Sequence, residues 1–375
     1  MDQIMKIIAW SFYYLSLGVH PEKDWDNYLK PDGVGWPLNS AEAAIAGMPL
    51  ADGLRGVLYM LKGDLDHFAK MGLANYRKAK ICNFCPADRG PDPSMMFSNF
   101  NKKAAWKSKL YSKEEWLKSL SFKHPLFDLP FLSGENVEPD ELHIFYLGML
   151  QYFYGSTLWL LTYSILKGTP EENAEFIWRK IIEHYEANPT SSQIGNLQLS
   201  MFVGDVKQPK KFYPRLKVKG SECKHLSPAL LSIWDTMTKK SRSEFKAPVM
   251  DALVKQVEIQ SVLDDNRFNT FLSVDDAKTI ADSVNDFLIA YSHAASKADK
   301  AELKLFSVTP KFHWSYHWAQ RSVYLNPRLG NCMVDESFVG KSKECAKACT
   351  ASTHLHKVPE RFMIKYRWGS HFESI

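Results

Sequence analysis

Cysteine is scarce: six residues in a chain of 375, at irregular spacing, do not make the framework of a small disulfide-bonded fold. The chain is therefore expected to be intracellular, with its thiols kept for metal or redox chemistry. A strong charge imbalance is also missing. A formal charge of +5 does not establish a nucleic-acid partner, because many enzymes of neutral substrates carry as much. No internal repeat or low-complexity tract is present, which excludes a solenoid. Long uncharged runs are almost absent too. The exception is Ile144 to Leu166, 23 residues without a charged side chain, long enough to span a bilayer. Gln151, several Tyr, Ser and Thr residues and two Gly within it suit a helix buried in a large protein, with a single-pass anchor as the alternative. Met1 to Gly18 has Lys6 ahead of an apolar stretch, as a signal peptide does, but Asp2 and the lack of a small-residue cleavage pattern argue against that role.

What is present is an ordinary globular composition, 45% hydrophobic and 24% charged, enough for one large or two medium domains with real cores. The positive charge is unevenly placed. Lys341, Lys343, Lys347, Lys357, Arg361, Lys365 and Arg367 cluster near the end, with Tyr366 and Trp368 interleaved. This is the expected place for phosphate contacts, against the plainer reading of a solvated basic face.

Along the chain, Ile4 to Leu17 is apolar, and periodicity alone does not separate a strand from a buried helix. A Pro/Gly-marked loop follows through Pro37. Gly53 to Gly63 reads as a short strand that leaves Asp64 at its end, with Leu65 to Leu73 entering a helix. Pro86 to Pro139 is loop-rich around a helical piece at Lys113 to Leu120. Thr169 to Ala187 is an amphipathic helix with Pro170 at its start and acids in its first turn. After a basic loop at Lys207 to Lys219, a helical block runs from His225 to about Ala298. In it Leu253, Val257, Leu263, Ile280, Val284, Phe287, Leu288 and Tyr291 recur at core spacing.

Two ligand pairs stand more than two hundred residues apart, Cys82-Asn-Phe-Cys85 and His313-Trp-Ser-Tyr-His317. A Cys-x-x-Cys claw and two imidazoles at i and i+4 on a helix face together offer the four ligands of a tetrahedral Zn2+. Asp64 lies 18 residues before Cys82 and Glu336 lies 19 residues after His317, so such a clip would gather an acid from each end of the chain. Asp66 beside Asp64, and Asp335 beside Glu336, are the competing carboxylates. Glu336 is favoured as the opening residue of a helix to Cys349, where the dipole supports a carboxylate. Asp140-Glu-Leu-His143 is a third polar cluster, with Asp140 an N-cap on its plainer reading. Cys345, Cys349, His354 and His356 form a rival local metal site.

In this order Gly63-Asp64, Cys82-x-x-Cys85, Asp140-x-x-His143, His313-x-x-x-His317 and Glu336 resemble the core of CACTA-type DDE transposases and their relatives, including the V(D)J recombinase catalytic subunit. The chain is also similar to multicopy transposase-like proteins of dinoflagellates, through Lys62-Gly-Asp-Leu-Asp-His-Phe68, Thr309-Pro-Lys-Phe-His-Trp314, Asp335-Glu-Ser-Phe-Val-Gly340 and Lys365-Tyr-Arg-Trp-Gly369.

The resemblance implies an α/β, RNase H-like core, incomplete at its N-terminus, interrupted by a large all-helical insertion and closed by a zinc clip. Its parts would be 1–100 with the Cys pair, 101–305 as the insertion, and 306–375 with the His pair, the closing Glu and the basic tail. Asp64, Asp140, His143 and Glu336 would be catalytic, with Asp64 and Glu336 holding Mg2+ for hydrolysis and strand transfer. DNA would be held by Lys341, Lys343, Lys357, Arg361, Lys365 and Arg367 in a nuclear protein that can form a homo-oligomer and needs no membrane. The family's first aspartate falls upstream of the segment that Met1 to Phe12 resembles, so a catalytically impaired remnant is expected. A non-catalytic, zinc-stabilised DNA- or protein-binding scaffold is the alternative.

Overall fold

The computed structural model describes residues 2–76, 79–120, 122–350 and 354–373, with side chains inside its last helix described through residue 367. Met1, at the head of the apolar opening, and the side chain of Trp368 fall outside the described residues. Two compact units divide the chain, Met1–Gly330 and Asn331–Ile375.

Helix dominates the first unit. The apolar opening forms helix α1, Asp2–Leu17, which buries only Ala9 and Tyr14 and leaves Ile4 and Leu17 exposed. It packs on the turn Pro125–Asp128. The expected strand over Gly53 to Gly63 shrinks to β1, Leu61–Gly63, because its partner β2, Val137–Pro139, is equally short and ends on a proline with no N–H to extend the ladder. The two strands pair in parallel, with Leu61 opposite Val137 and Gly63 opposite Pro139. Among the described residues this pair is the whole sheet. The α/β expectation therefore gives way to a mostly helical molecule with one small parallel sheet, and the full RNase H-like sheet does not appear among the described residues.

Asp64 occupies the N-cap position of the next helix, α2, Leu65–Lys70, without a side-chain capping bond. Helix α3, Lys113–Ser119, opens on a reciprocal capping box between Ser112 and Glu115. The uncharged run becomes one central helix, α4, over 142–165. It is π-helical at Leu142–Met149, α-helical at Leu150–Leu160 and π-helical again at Leu161–Ile165. Most of its residues are buried within the chain, and no helix among the described residues is long and apolar enough to cross a membrane. The single-pass alternative thus loses its segment.

Helix α5, Pro170–Ala187, starts where the sequence places it, capped by Thr169 with Glu172 in reply. The helical block resolves into α6, Ser227–Thr238, α7, Lys246–Asp265, and α8, Val274–Lys300. Of its expected core residues only Val257 is half-buried; Gln256, 1% exposed, turns inward instead. Helix α9, Pro310–Gln320, lies against α4, α8 and β2. Phe145 meets Trp318 at 4.6 Å, Phe312 meets Tyr291 at 4.4 Å and Phe153 meets Phe287 at 5.2 Å, so aromatic rings fill the joint between α4, α8 and α9.

The second unit is a helical hairpin of α10, Met333–Thr350, and α11, Val358–Glu373. Tyr366 packs on Phe338 at 5.6 Å and on Phe362 at 6.0 Å.

Candidate metal centre and acidic strand ends

The Cys-x-x-Cys segment lies in a loop pinched by the antiparallel bridge between Lys80 and Asp88. Buried Asn83 holds the loop from inside: its amide donates to Leu73 O at 2.8 Å and its carbonyl accepts from Asn75 N at 3.3 Å. Trp314 on α9 reaches across to donate to Ile81 O at 2.8 Å, locking the helix to the cysteine loop. As a result Cys82, Cys85, His313 and His317, all buried, bring their ligand atoms within 4.8 Å of one another.

The edges of this cluster are informative. His313 Nε2 and His317 Nε2 are 3.2 Å apart, and Cys85 Sγ is 3.2 and 3.3 Å from them. Ligands at about 2.0–2.1 Å for nitrogen and 2.3 Å for sulfur around a tetrahedral zinc stand roughly 3.3–3.8 Å from each other. The cluster thus nearly has the size of a zinc coordination shell. Two ring nitrogens aimed at each other in an apolar pocket need a cation between them or a proton on one. Burial pushes the His313 imidazolium down against the pull of Cys82, favouring the neutral ring that ligates. Burial raises the Cys82 thiol, but the Cys85 hydrogen bond and the two imidazoles outweigh it and bring its pKa well below the ordinary value. Phe84 N donates to Cys82 Sγ at 3.3 Å, further support for a thiolate. Trp106 packs on His313 at 4.3 Å and Phe84 on His317 at 5.0 Å. The four residues can bind a metal such as zinc. Among the described residues they are the one such group, so Cys345, Cys349, His354 and His356 do not assemble the rival site.

The acidic residues follow from the strands. Because Gly63 and Pro139 are register partners, Asp64 and Asp140 leave the sheet side by side at its C-terminal edge. Asp140 is fully buried; one oxygen accepts from Leu142 N at 3.0 Å, the expected capping, and the other engages His143 Nδ1. Burial would lower the His143 pKa, but the bond and charge of Asp140, with Asp64 adding, raise it. Lys311, one residue into α9, is a site residue that sequence reasoning misses, although it stands in the Thr309-Pro-Lys-Phe-His-Trp314 motif. Its stem passes over Gly148, where a Cβ would meet Lys311 Cδ at 2.8 Å, and its charge faces Asp64 and Asp140. Burial lowers the Lys311 pKa, and those two carboxylates oppose the shift. Within β2, buried Glu138 accepts from Arg321 Nε at 2.9 Å.

Glu336 belongs to the second unit, in the first turn of α10. There Lys341 and Lys343 on α10, Lys357 in the connecting turn and Arg361, Lys365 and Arg367 on α11 are all exposed. Lys365 also donates to Ala348 O at 3.1 Å.

No protein-family model, no curated protein and no solved structure matches the chain.

Proposed function

We propose that the chain is a transposon-derived, DDE-type protein that engages DNA on a reduced RNase H-like core, with catalysis impaired in the isolated chain. The observation that supports this most directly is the in-register parallel pairing of β1 with β2, which sets Asp64 beside Asp140. Adjacent carboxylates at the C-terminal ends of parallel strands are where α/β folds place chemistry. The order of the five motifs and the buried Cys/His cluster point the same way.

As they stand, the strand ends do not fit Mg2+ well. Both oxygens of Asp140 already have partners, the Lys311 charge faces the same carboxylates, and no group of three acidic or imidazole ligands forms there among the described residues. No phosphoryl-transfer step is therefore assigned to Mg2+. In this reading Asp140 fixes the His143 ring and Lys311 neutralises the acidic pair, while the zinc ligands hold the cysteine loop on α9. Contact with phosphates is assigned to the exposed cations of the hairpin.

The test uses the full chain on supercoiled DNA, first for binding and then for nicking with Mg2+ or Mn2+. Binding that weakens with salt, with nicking no faster than in Asp64→Asn, is the expected outcome. Nicking that requires Asp64 would overturn the impairment and keep the family reading. No binding at low salt would overturn the DNA reading and leave the zinc-stabilised scaffold, which the fully engaged Asp140 also suits.

A further inference from the structure

A cavity of about 470 Å³ opens beside the metal cluster, and His317 forms part of its wall. That volume falls within the roughly 300–1,000 Å³ usual for small-molecule sites. Its lining carries Lys107, Lys113 and Arg321 against one carboxylate, Glu135. Arg321 is engaged by Glu138, but the lysines have capacity left. Lys107 donates to Phe100 O and Asn285 Oδ1, both at 2.7 Å. Lys113 donates to Leu129 O at 2.8 Å and Pro130 O at 3.1 Å. Each ammonium has three hydrogens, so one on each has no acceptor among the described residues.

A second observation is independent of charge. Trp116, 1% exposed, lines the same cavity as an aromatic ring. Its ring lies flat over Gly134, where any Cβ would stand 2.9 Å from it. Aromatic faces complete the lining, with Tyr316 and Phe84 among the residues around His317 and Lys107 Nζ 4.6 Å from the Tyr316 ring.

We infer that this cavity binds a nucleotide unit, its planar base against the aromatic wall and its phosphate on Lys107 and Lys113. The inference stands on the cavity and not on the phosphoryl-transfer reading. Two sources present the same chemistry, a free mononucleotide and an unpaired nucleotide of a DNA strand.

Deoxyadenosine monophosphate, deoxyadenosine and inorganic phosphate are titrated into the metal-loaded full chain, followed by tryptophan fluorescence and calorimetry. The monophosphate should bind more tightly than either part alone. Lys113→Met and Lys107→Met should each weaken it about tenfold, the scale of one charge-assisted hydrogen bond. Trp116→Phe keeps an aromatic ring on the wall and should leave the lysine contribution in place. Metal content and melting temperature report whether each variant is folded; if Trp116→Phe is not, the half-buried Lys113 carries the test. Competition by a short single strand but not by the matching duplex assigns the site to DNA, and indifference to both assigns it to the free nucleotide. Absence of monophosphate binding at millimolar concentration, or binding unchanged in both lysine variants, overturns the proposal.

Discussion

Replacing Cys82 by Ser or His317 by Ala leaves three ligands and a hole in a shell whose edges are set for four. Either variant should lose the one zinc expected per chain. If the wild type is loaded at a hundred times its Kd, stability should fall by about 2.7 kcal/mol or more. Metal analysis and chemical denaturation check this, and chelation should add two thiols to those titrated in the native protein. Cys223 should stay silent, because burial pushes its thiol far up and the Glu222 charge adds to the shift. These four ligands are legible in the sequence because the chemistry of each pair is local: two thiols three apart, and two imidazoles one helical turn apart. Lys311 is not, because a lysine draws notice only from the carboxylates it faces, and Asp64 and Asp140 reach it from distant parts of the chain.

Gly148 gives the element-scale test. In an ordinary helix Gly→Ala stabilises by up to about 1 kcal/mol. Within the π-helical stretch of α4, however, a Cβ would stand 2.6 Å from His143 O and 2.8 Å from Lys311 Cδ. Overpacking of this kind costs about 1–3 kcal/mol, so Gly148→Ala should lower the melting temperature rather than raise it. A second test concerns how α7 is tied to its neighbours. Asp264 accepts from Lys224 Nζ at 2.8 Å and from Arg328 at 3.1 Å. Burial would raise its pKa, but Lys224, Gln260 and Arg328 together bring it below the ordinary value. A carboxylate with a depressed folded pKa stabilises above its unfolded value of about 3.9 and loses that contribution as pH falls through the folded value. Asp264→Asn should therefore melt below the wild type at neutral pH, with the gap closing in acid. Helix positions are readable where caps mark them, as at Thr169-Pro170. The strand pair is not: three residues carry no alternation to read, and their pairing joins Leu61 to Val137 across the intervening chain.

At the scale of the whole molecule, all four metal ligands and the aromatic joint lie within residues 1–330. A chain ending at Gly330 should keep about one zinc and a cooperative unfolding transition, checked by metal content and calorimetry. The full chain should differ in its response to salt. Neutralising Lys357, Arg361 and Lys365 together should flatten the fall of DNA affinity with ionic strength by about 0.9 for each phosphate that a cation no longer meets, measured by fluorescence anisotropy. The metal shell has one more consequence, and it concerns time. Cys85 and His313 meet across 228 residues of sequence. A ribosome adding about 5–20 residues per second takes roughly ten to fifty seconds to cover that span. Through that interval the newborn chain carries two naked thiols with no imidazoles to share a metal with. Its yield in a living cell should therefore depend on how well oxidants and stray copper are kept away from polysomes.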